Sequence, residues 1–230
     1  MDIDGLTGIL KRSQLFRELD EPTLAKLAER AVERSYRRGE RIFHQGDPGD
    51  STYVVVEGLI KVVVVSEHGD EMVLVTLREG DTFGELALID GRPRSATAEA
   101  TEGTKVLMVT RVTMLELFAE QPSLMDSMLR SLGSVIRRLT EQASDLVFLD
   151  LHGRVAKLLV GMAEERGTDS PDGLILDLHL TQADLASMVG GSRQSVNQIL
   201  RSFEGREYLG MIGRTIVIRD LDRLRKRAVK

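Results

Sequence analysis

Cysteine is missing from this chain of 230 residues. Its absence excludes disulfide bonds, thiol catalysis and an iron–sulfur cluster held by cysteine thiolates. No apolar run approaches the roughly 18 residues that a membrane-spanning helix needs. The first residues, Met1 to Asp4, are acidic and do not lead from a basic into an apolar stretch, so we expect no signal peptide. These absences favour a cytoplasmic protein that does not enter a membrane.

Sequence motifs of common enzymes are missing as well. The chain has no nucleophile elbow, no Walker loop and no dinucleotide fingerprint. Its four histidines occur in separate segments without metal-ligand spacing: His44, His68, His152 and His179. We therefore expect neither a metal nor an enzymatic activity, although an enzyme is the main rival from another functional class.

Basic residues are scarce in most of the chain and concentrated at its end. The net charge is −5. From Thr181 onward, ten basic residues stand against five acidic ones, a net charge of +5, so the preceding 180 residues carry −10. A basic tail on an acidic body is typical of polyanion binding, and a solvated basic surface has the same composition.

The spacing of apolar residues predicts a helical start followed by a β-rich middle. In the first thirty residues the spacing is helical, and Asp20 and Pro22 are suited to begin a second helix. Between Tyr36 and Val112, β-rich runs recur at intervals of roughly 8–12 residues, which indicates a small antiparallel β-roll. The runs are Arg41–Phe43, Thr52–Val56, Leu59–Val65, Glu71–Leu77, Ala96–Ala98 and Lys105–Val109.

A long helix is predicted after Pro122. One row, apolar except for Gln142, advances by alternating steps of four and three residues: Met128, Leu132, Val135, Leu139, Gln142 and Leu146. A second row lies one residue further on: Leu129, Ile136, Ala143 and Val147. A helix of about 25 residues spans close to 40 Å, and a sustained stripe of this period needs a partner. The helix can pack on its own β-roll or pair with its copy in a homodimer, and two rows allow both.

Two short helices joined by a glycine turn are predicted between Thr181 and Leu200. Thr181 and Ser192 are suited to cap them, and one residue of Gly190-Gly191 needs a positive φ. The inward residues are apolar: Leu185, Ala186, Val189, Val196, Ile199 and Leu200. The outward residues near the start of the second helix are polar: Arg193, Gln194, Asn197 and Gln198. Such side chains bind base edges in a major groove, whereas an ordinary hairpin would present them to water.

A winged helix–turn–helix is the expected architecture of the last eighty residues. Tyr208–Ile212 and Thr215–Ile218, separated by Gly213-Arg214, have the signature of a β-hairpin. Before the helix–turn–helix, Asp150 is suited to cap a helix from Leu151 to about Glu165, and a polar loop, residues 167–173, leads to a strand at 174–178. The fold class is therefore α+β, with a β-roll and N-terminal helices in residues 1–122, a central dimerisation helix in 123–149 and the winged domain in 150–230.

The segment 83–97 has the composition of a ribose-phosphate pocket. Gly84, beside a short helical run from Glu85, offers backbone N–H groups to an anion. Arg94 can make paired hydrogen bonds to phosphate oxygens, and Ser95 adds a hydroxyl and an N–H. Glu85 can accept a hydrogen bond from a sugar hydroxyl. A surface loop in which Glu85 and Arg94 pair with each other is the alternative.

With these segments the chain resembles the cyclic-AMP receptor protein and FNR family of bacterial transcription regulators over nearly its whole length. Further shared motifs are Arg38-Gly39, Gln45–Asp50, Tyr53, Glu57-Gly58, Phe148–Asp150 and Gly153-Arg154. The resemblance implies a homodimer with an N-terminal cyclic-nucleotide-binding roll and a central dimerisation helix. It also implies a winged helix–turn–helix that reads a near-palindromic operator in double-stranded DNA, with RNA polymerase as a further partner.

The same resemblance implies roles for the residues of the cradle. Glu85 would meet the ribose 2′-hydroxyl, while Arg94 and Ser95 would hold the cyclic phosphate together with the backbone at Gly84 and Leu86. The full set implied for the nucleotide is Gly84, Glu85, Leu86, Ala87, Arg94, Ser95, Ala96 and Thr140.

On the side that reads the base the chain departs from the family. Leu139-Thr140 stands where a Thr-Ser pair reads adenine, Val135 replaces a helix arginine, and Val75 replaces a serine that often contacts the base. A missing polar partner costs about 1–3 kcal/mol. Cyclic AMP is the first expectation for the effector, and a different nucleotide or no ligand stays open.

For DNA, the resemblance assigns Arg193 to guanine, whereas Gln194 stands where many members carry a glutamate. Gln198 replaces a frequent arginine or lysine. Arg201 and Arg214 are expected to contact the DNA backbone and to contribute affinity without sequence information. Phosphate or structural contacts are expected from Ser192, Ser195 and Asn197. The full set of expected DNA-binding residues is Thr181, Gln182, Ser192, Arg193, Gln194, Ser195, Asn197, Gln198, Arg201 and Arg214.

A two-state dimer is the mechanism that we expect. A ligand that fits one state better would rotate the DNA-binding pair about Phe148–Asp150. It can shift the equilibrium between the two states by no more than its differential affinity for them. Two other functions stay open at this point: a cyclic-nucleotide-binding regulatory subunit, and an architectural DNA-binding protein that needs no ligand.

Overall fold

The computed structural model of the chain describes residues 3–177, 180–213 and 215–229. The chain divides into two units, Met1–Arg137 and Arg138–Lys230, and the border lies inside the long helix. The helices are α1 (Ile3–Arg12), α2 (Glu21–Arg30), α3 (Glu85–Asp90), α4 (Arg111–Glu120), α5 (Pro122–Phe148), α6 (Leu151–Arg166), α7 (Gln182–Val189), α8 (Arg193–Gly205) and α9 (Leu221–Arg227). The strands of the first unit are β1 (Val32–Tyr36), β2 (Arg41–Phe43), β3 (Ser51–Glu57), β4 (Ile60–Val65), β5 (Glu71–Leu77), β6 (Thr82–Phe83), β7 (Thr97–Ala100) and β8 (Thr104–Thr110). Those of the second are β9 (Thr168–Ser170), β10 (Gly173–Asp177), β11 (Leu209–Ile212) and β12 (Thr215–Ile218).

The first unit contains the expected antiparallel β-roll. Two four-stranded sheets, in the orders β1-β8-β3-β6 and β2-β7-β4-β5, face each other across one apolar cluster. The cluster takes residues from both sheets: Tyr53, Val55, Ile60, Leu77, Phe83, Ala98 and Val106. The predicted strands at Arg41–Phe43 and Glu71–Leu77 are confirmed to the residue. The strand Val32–Tyr36 was not predicted, because it is largely exposed and lacks the alternation of apolar and polar residues.

A second cluster joins the N-terminal helices to the outer side of the roll. Asp20 caps α2 by accepting a hydrogen bond from the Thr23 N–H at 2.9 Å, as predicted. Leu124 and Met128 of α5 are buried in this cluster, and Leu132 packs against it. The first turns of the long helix therefore pack on their own unit.

Further along α5, apolar side chains remain exposed. Leu129 is 60% exposed, Ile136 63% and Val147 74%, and all three belong to the second predicted row. An exposed apolar row on a long helix is the surface that helix pairing requires.

The helix α4 was not predicted, because its apolar side chains do not lie on one face. Met114 and Leu117 are buried, whereas Val112 and Leu115 are exposed. The first residues of this segment continue the β-rich composition of the preceding strand. The β-rich region therefore ends at Thr110, two residues before the predicted limit.

The second unit has the predicted winged architecture. A small sheet in the order β11-β12-β10-β9 accompanies α6 to α9, and the β11–β12 hairpin turns at Gly213, whose φ is 63°. The prediction of a loop for residues 167–173 is wrong in part, because the short polar strand β9 pairs with β10 there. The helix α9 was not predicted either. Leu178, at the end of the predicted strand, and Arg214 lie outside the described residues.

Within the described residues, no helix combines the length and the apolar character needed to cross a bilayer.

Asp150 connects the start of α6 to α9. Its carboxylate accepts a hydrogen bond from the Gly153 N–H at 2.7 Å, as a helix cap, and forms an ion pair with Arg227. The bond from Gly153 and, next, the pairing with Arg227 lower the pKa of Asp150 below its usual value, against the opposing effect of burial. Arg225 is paired with Glu164 at 2.9 Å and Arg223 with Asp220 at 3.1 Å. Several basic residues of the tail therefore form ion pairs within the second unit.

Replacing Asp150 by alanine is expected to lower the free energy of unfolding of the second unit by about 1 kcal/mol, the typical value of a helix cap. Because the folded pKa is below the usual value, this contribution is present above the usual pKa and is lost as the pH falls through the folded one. Urea unfolding at pH 7 and at pH 3 measures it. The exposed Asp172 is the matched control, since Asp172→Ala should change stability by less than about 0.5 kcal/mol. A difference between wild type and Asp150→Ala that stays constant down to pH 3 would contradict the assignment.

Candidate functional site

Arg94 lies at the centre of the predicted cradle and is buried, with 4% of its surface exposed. Its Nη1 donates a hydrogen bond to the Gly84 carbonyl at 2.6 Å, and its Nη2 donates one to the Ser51 carbonyl at 2.7 Å. A buried cation held by two carbonyls has one fixed orientation, because each terminal nitrogen of the planar guanidinium has its own partner. Arg94 is therefore positioned inside the roll, as an anion-binding role requires.

Two aromatic rings lie close to this guanidinium. Its Cζ lies 4.3 Å from the ring centre of Phe43 and 5.7 Å from that of Tyr53, distances at which a cation is attracted to an aromatic face. Tyr53 is stacked on Phe83 at 5.1 Å. The Ser51 hydroxyl donates a hydrogen bond to the Tyr53 hydroxyl at 3.2 Å.

None of these aromatic contacts was predicted from the sequence. Phe43 meets the cradle only because its strand pairs with β7, where it lies opposite Ala98. The nearest signal in the sequence is the β-rich run Arg41–Phe43, one residue before the Gln45–Asp50 motif. That signal does not show how the strand pairs with its neighbour, so the contact between Phe43 and Arg94 could not be predicted from it.

One nitrogen of Arg94 is not satisfied by the described part of the protein. The Nε atom is buried and has no hydrogen-bond partner there. A buried donor without a partner costs about 1–3 kcal/mol, so such groups are normally bonded to protein, water or ligand. An oxygen of an anionic ligand is the acceptor that this cationic N–H suits best.

Two glycines allow the backbone to approach the cradle closely. Gly84, with a φ of 79°, caps α3, and a Cβ there would lie 2.7 Å from Nη1 of Arg94. A Cβ on Gly49 would lie 2.1 Å from the Cβ of Ala87 in the first turn of α3. The Gly49 loop is tied to Arg94 by two backbone hydrogen bonds, Gly46 N–H to the Arg94 carbonyl at 2.9 Å and Arg94 N–H to the Asp47 carbonyl at 2.8 Å.

The structure brings most of the predicted cradle residues together. Glu85 is half-buried in the first turn of α3, next to Gly84, and Ala87 is buried in the same helix. Leu86 and Ser95 are exposed, and Ala96 is buried. Thr140 is exposed on α5 and belongs to the second unit.

Substituting Gly49 by alanine is expected to displace its loop from α3. Overpacking of this kind typically costs 1–3 kcal/mol, so we expect a loss of about 2 kcal/mol in stability and weaker nucleotide binding. Thermal unfolding and titration calorimetry measure the two effects. Gly103 is the matched control in the same unit, because a Cβ there meets no atom within 4 Å. Equal behaviour of Gly49→Ala and Gly103→Ala would refute the close approach.

The helix–turn–helix has the predicted caps and turn. Thr181 and Asp184 form a reciprocal capping box, in which the Asp184 N–H donates to the Thr181 hydroxyl at 3.1 Å and the Thr181 N–H to the Asp184 carboxylate at 2.8 Å. Gly190 supplies the left-handed residue with a φ of 62°. The Ser192 hydroxyl accepts a hydrogen bond from the Ser195 N–H at 3.0 Å. These two serines therefore have structural roles in starting α8.

Polar side chains occupy the outward face of α8. They line one shallow groove: Arg193, Gln194, Asn197, Gln198 and Arg201. Asn197 is half-buried and the other four are exposed. Thr181 and Gln182, at the start of α7, line a neighbouring cleft of about 450 Å³ together with Arg193 and Gly213 of the wing.

A roll with a buried arginine cradle, followed in the chain by a winged helix–turn–helix, defines the class of transcription regulators that carry an effector-binding domain. Residues 33–121 match the family model of the cyclic nucleotide-binding domain, and residues 153–227 match that of the Crp-like helix-turn-helix domain.

Relatives match along nearly the whole chain. The CRP-like cAMP-activated global transcriptional regulator of Mycobacterium tuberculosis H37Rv is 32% identical over 220 residues, which cover 96% of this chain and 98% of that protein. The cAMP-activated global transcriptional regulator CRP of Salmonella typhimurium is 30% identical over 203 residues, or 86% and 94%. The structure of the c-di-GMP responsive global regulator CLP of Xanthomonas campestris has the same fold, with a TM-score of 0.78, 23% identity and coverage of 86% and 99%.

The chain belongs to the CRP/FNR family of DNA-binding transcription regulators. This is a family of regulators and not of enzymes, so the expectation that the chain is not an enzyme is confirmed. The Crp-like match of the C-terminal unit also removes the alternative of a regulatory subunit without a DNA-binding domain.

Proposed function

We propose that the chain is a homodimeric regulator whose binding to a near-palindromic operator is controlled by a cyclic nucleotide in the β-roll. The observation that supports nucleotide control most directly is Arg94, which is buried in the roll and held by the Gly84 and Ser51 carbonyls. Cyclic AMP is the first candidate, in agreement with what the names of the Mycobacterium and Salmonella relatives say of those proteins. The Xanthomonas relative, described as responsive to c-di-GMP, is a reason to test other nucleotides.

In this proposal Arg94 and Ser95 hold the cyclic phosphate, together with backbone N–H groups at Gly84 and Leu86. Glu85 accepts a hydrogen bond from the ribose 2′-hydroxyl. The small side chains of Ala87 and Ala96 leave space for the ligand, and Thr140 offers one hydrogen bond to the base. No metal takes part.

On DNA, Arg193 reads a guanine through paired hydrogen bonds to O6 and N7, and Gln194 and Gln198 contact neighbouring base edges. Thr181 and Gln182, which border the cleft beside Arg193, contact the DNA backbone. Arg201 and Arg214 contact the DNA backbone, while Ser192 and Ser195 support α8, and Asn197 contacts phosphate.

Dimerisation is supported by the exposed apolar row of α5, which includes Leu129, Ile136 and Val147. In the dimer the two copies of α8 must be about 34 Å apart, one turn of DNA, to read both halves of an operator. The nucleotide acts by binding more tightly to the state with that spacing. Its difference in affinity for the two states sets how far it shifts their equilibrium. RNA polymerase as a partner and a cytoplasmic location follow from the family and stay predictions.

The test is operator binding with and without nucleotide. An operator is selected from a random duplex library with the full chain, and equilibrium binding is then measured at fixed salt. We expect two chains per duplex and at least tenfold tighter binding with saturating cyclic AMP or a related nucleotide. A dimer whose DNA affinity no cyclic nucleotide changes would refute nucleotide control and would favour the alternative, a regulator that acts without a ligand.

A further inference from the structure

The outward face of α8 is rich in side-chain amides. Gln194 and Gln198 are exposed and lie about one helical turn apart, and Asn197 is half-buried. With Arg193 and Arg201 they line the shallow groove described above. Gln194 is the second residue of α8, and the N-terminal residues of a recognition helix are those that reach base edges in the major groove. Gln194 is therefore placed, with Arg193, to read a base.

No carboxylate lines this surface in the described part of the chain. The groove is lined by amides and guanidiniums, and the neighbouring cleft between α7, α8 and the wing has no acidic residue among its described ones. The acidic residue of α8, Glu204, lies in the last turn, where its carboxylate accepts a hydrogen bond from the Met211 N–H at 3.2 Å. Asp184 of α7 is engaged with Thr181 in the capping box. The described surface therefore offers a base no negatively charged acceptor.

An amide and a carboxylate prefer different bases. An ionised carboxylate only accepts hydrogen bonds, so it selects the amino group of cytosine. An amide has an accepting oxygen and a donating nitrogen, and adenine presents the matching pair, the N6 donor beside the N7 acceptor, in the major groove. On guanine, thymine or cytosine an amide satisfies only one of its two ends with the base. An amide at this position therefore favours adenine by the value of a second hydrogen bond.

We infer that Gln194 reads an adenine, so that each half-site of the operator contains an A·T pair in addition to the guanine read by Arg193. The inference rests on the proposed operator binding and specifies the DNA sequence that it selects. The A·T pair is preferred over G·C and C·G by about 5- to 150-fold, the range of one bidentate contact between a side chain and a base.

The experiment measures equilibrium binding of the full chain to variants of its selected operator. The duplexes carry each of the four base pairs in turn at every position of one half-site, at one salt and one nucleotide concentration. We expect Gln194→Ala to lose the base preference of wild type at one position, and wild type to prefer adenine there. A preference of wild type for G·C or C·G at the affected position overturns the inference, as does the absence of any affected position.

Gln194→Glu replaces the amide nitrogen by an oxygen with little change of shape. Because the donor is lost, the preference at the affected position should move from adenine to cytosine by about tenfold or more. Gln198→Glu is the matched control, since it introduces the same charge on the same face one turn away. It should weaken binding to every sequence and keep the adenine preference at the position of Gln194. The same change of base preference at that position in both variants would contradict the assignment to Gln194.

A base analogue tests the contact at a single atom. Replacing the adenine by 7-deazaadenine removes the N7 acceptor and keeps the pairing with thymine. Binding by wild type should weaken by about fivefold, the effect of one hydrogen bond, whereas binding by Gln194→Ala should stay unchanged. An equal loss in wild type and Gln194→Ala would show that another side chain contacts N7.

Two outcomes separate this inference from the proposed function. An operator that is bound tightly and whose base preferences do not depend on Gln194 overturns the inference and leaves operator binding intact. If the full chain selects no operator, the proposed function fails, and the inference fails with it.

Discussion

Replacing Arg94 by alanine is expected to weaken nucleotide binding by at least about a hundredfold, because two charge-assisted hydrogen bonds to phosphate are each worth roughly 1.5–3 kcal/mol. The operator affinity of this variant should no longer respond to nucleotide. Titration calorimetry measures the first effect, and operator binding with and without nucleotide measures the second.

Because Arg94 also donates to the Gly84 and Ser51 carbonyls, its loss can disturb the local fold. Arg94→Lys keeps the charge and loses the planar fork, so its affinity should lie between wild type and alanine. Arg92, exposed in the same loop, is the matched control, and Arg92→Ala should bind as wild type does. The dimer should persist in all three variants, as light scattering can establish. Nucleotide binding by Arg94→Ala at wild-type affinity would refute the proposed cradle.

Replacing Arg193 by alanine is expected to relax specificity at one base pair of each half-site. The wild-type preference for guanine at that position should fall by about 1–3 kcal/mol, or roughly 5- to 150-fold, while other positions keep their discrimination. Arg214→Ala should instead weaken binding to every sequence and reduce its salt dependence. Equilibrium binding to a set of single-base operator variants at one salt concentration distinguishes the two patterns.

Arg223 provides the control for this pair of variants, because it is engaged with Asp220 in α9. Arg223→Ala should leave both affinity and specificity near the wild-type values. Equal losses on all sequences for both Arg193→Ala and Arg214→Ala would contradict the distinction between base and backbone contacts.

Local signals predicted the helix–turn–helix well. Thr181, Gly190 and Ser192 each act within three or four residues of themselves, so their caps and turn could be inferred from the sequence and are confirmed. The same holds for the cap at Asp150. The DNA contacts, the nucleotide contacts and the boundaries of the three expected domains stay predictions.

Features that depend on distant parts of the chain were missed. The strand β1 and the short β9 are recognisable only through their pairing with β8 and β10. The ring of Phe43 beneath Arg94 depends on a sheet register between residues more than fifty positions apart. Spacing along the chain reports the face of a residue, and not its neighbour across a sheet.

The ion pairs of α9 reduce the number of basic residues in the tail that are free to bind DNA phosphates. Arg223, Arg225 and Arg227 each have a carboxylate neighbour within the second unit, so these cations gather few mobile anions around them in solution. The gain in entropy when a basic surface replaces the ions condensed on a duplex comes from cations that actually meet phosphate. We therefore predict that the affinity for DNA depends less steeply on salt concentration than the formal charge of the tail suggests.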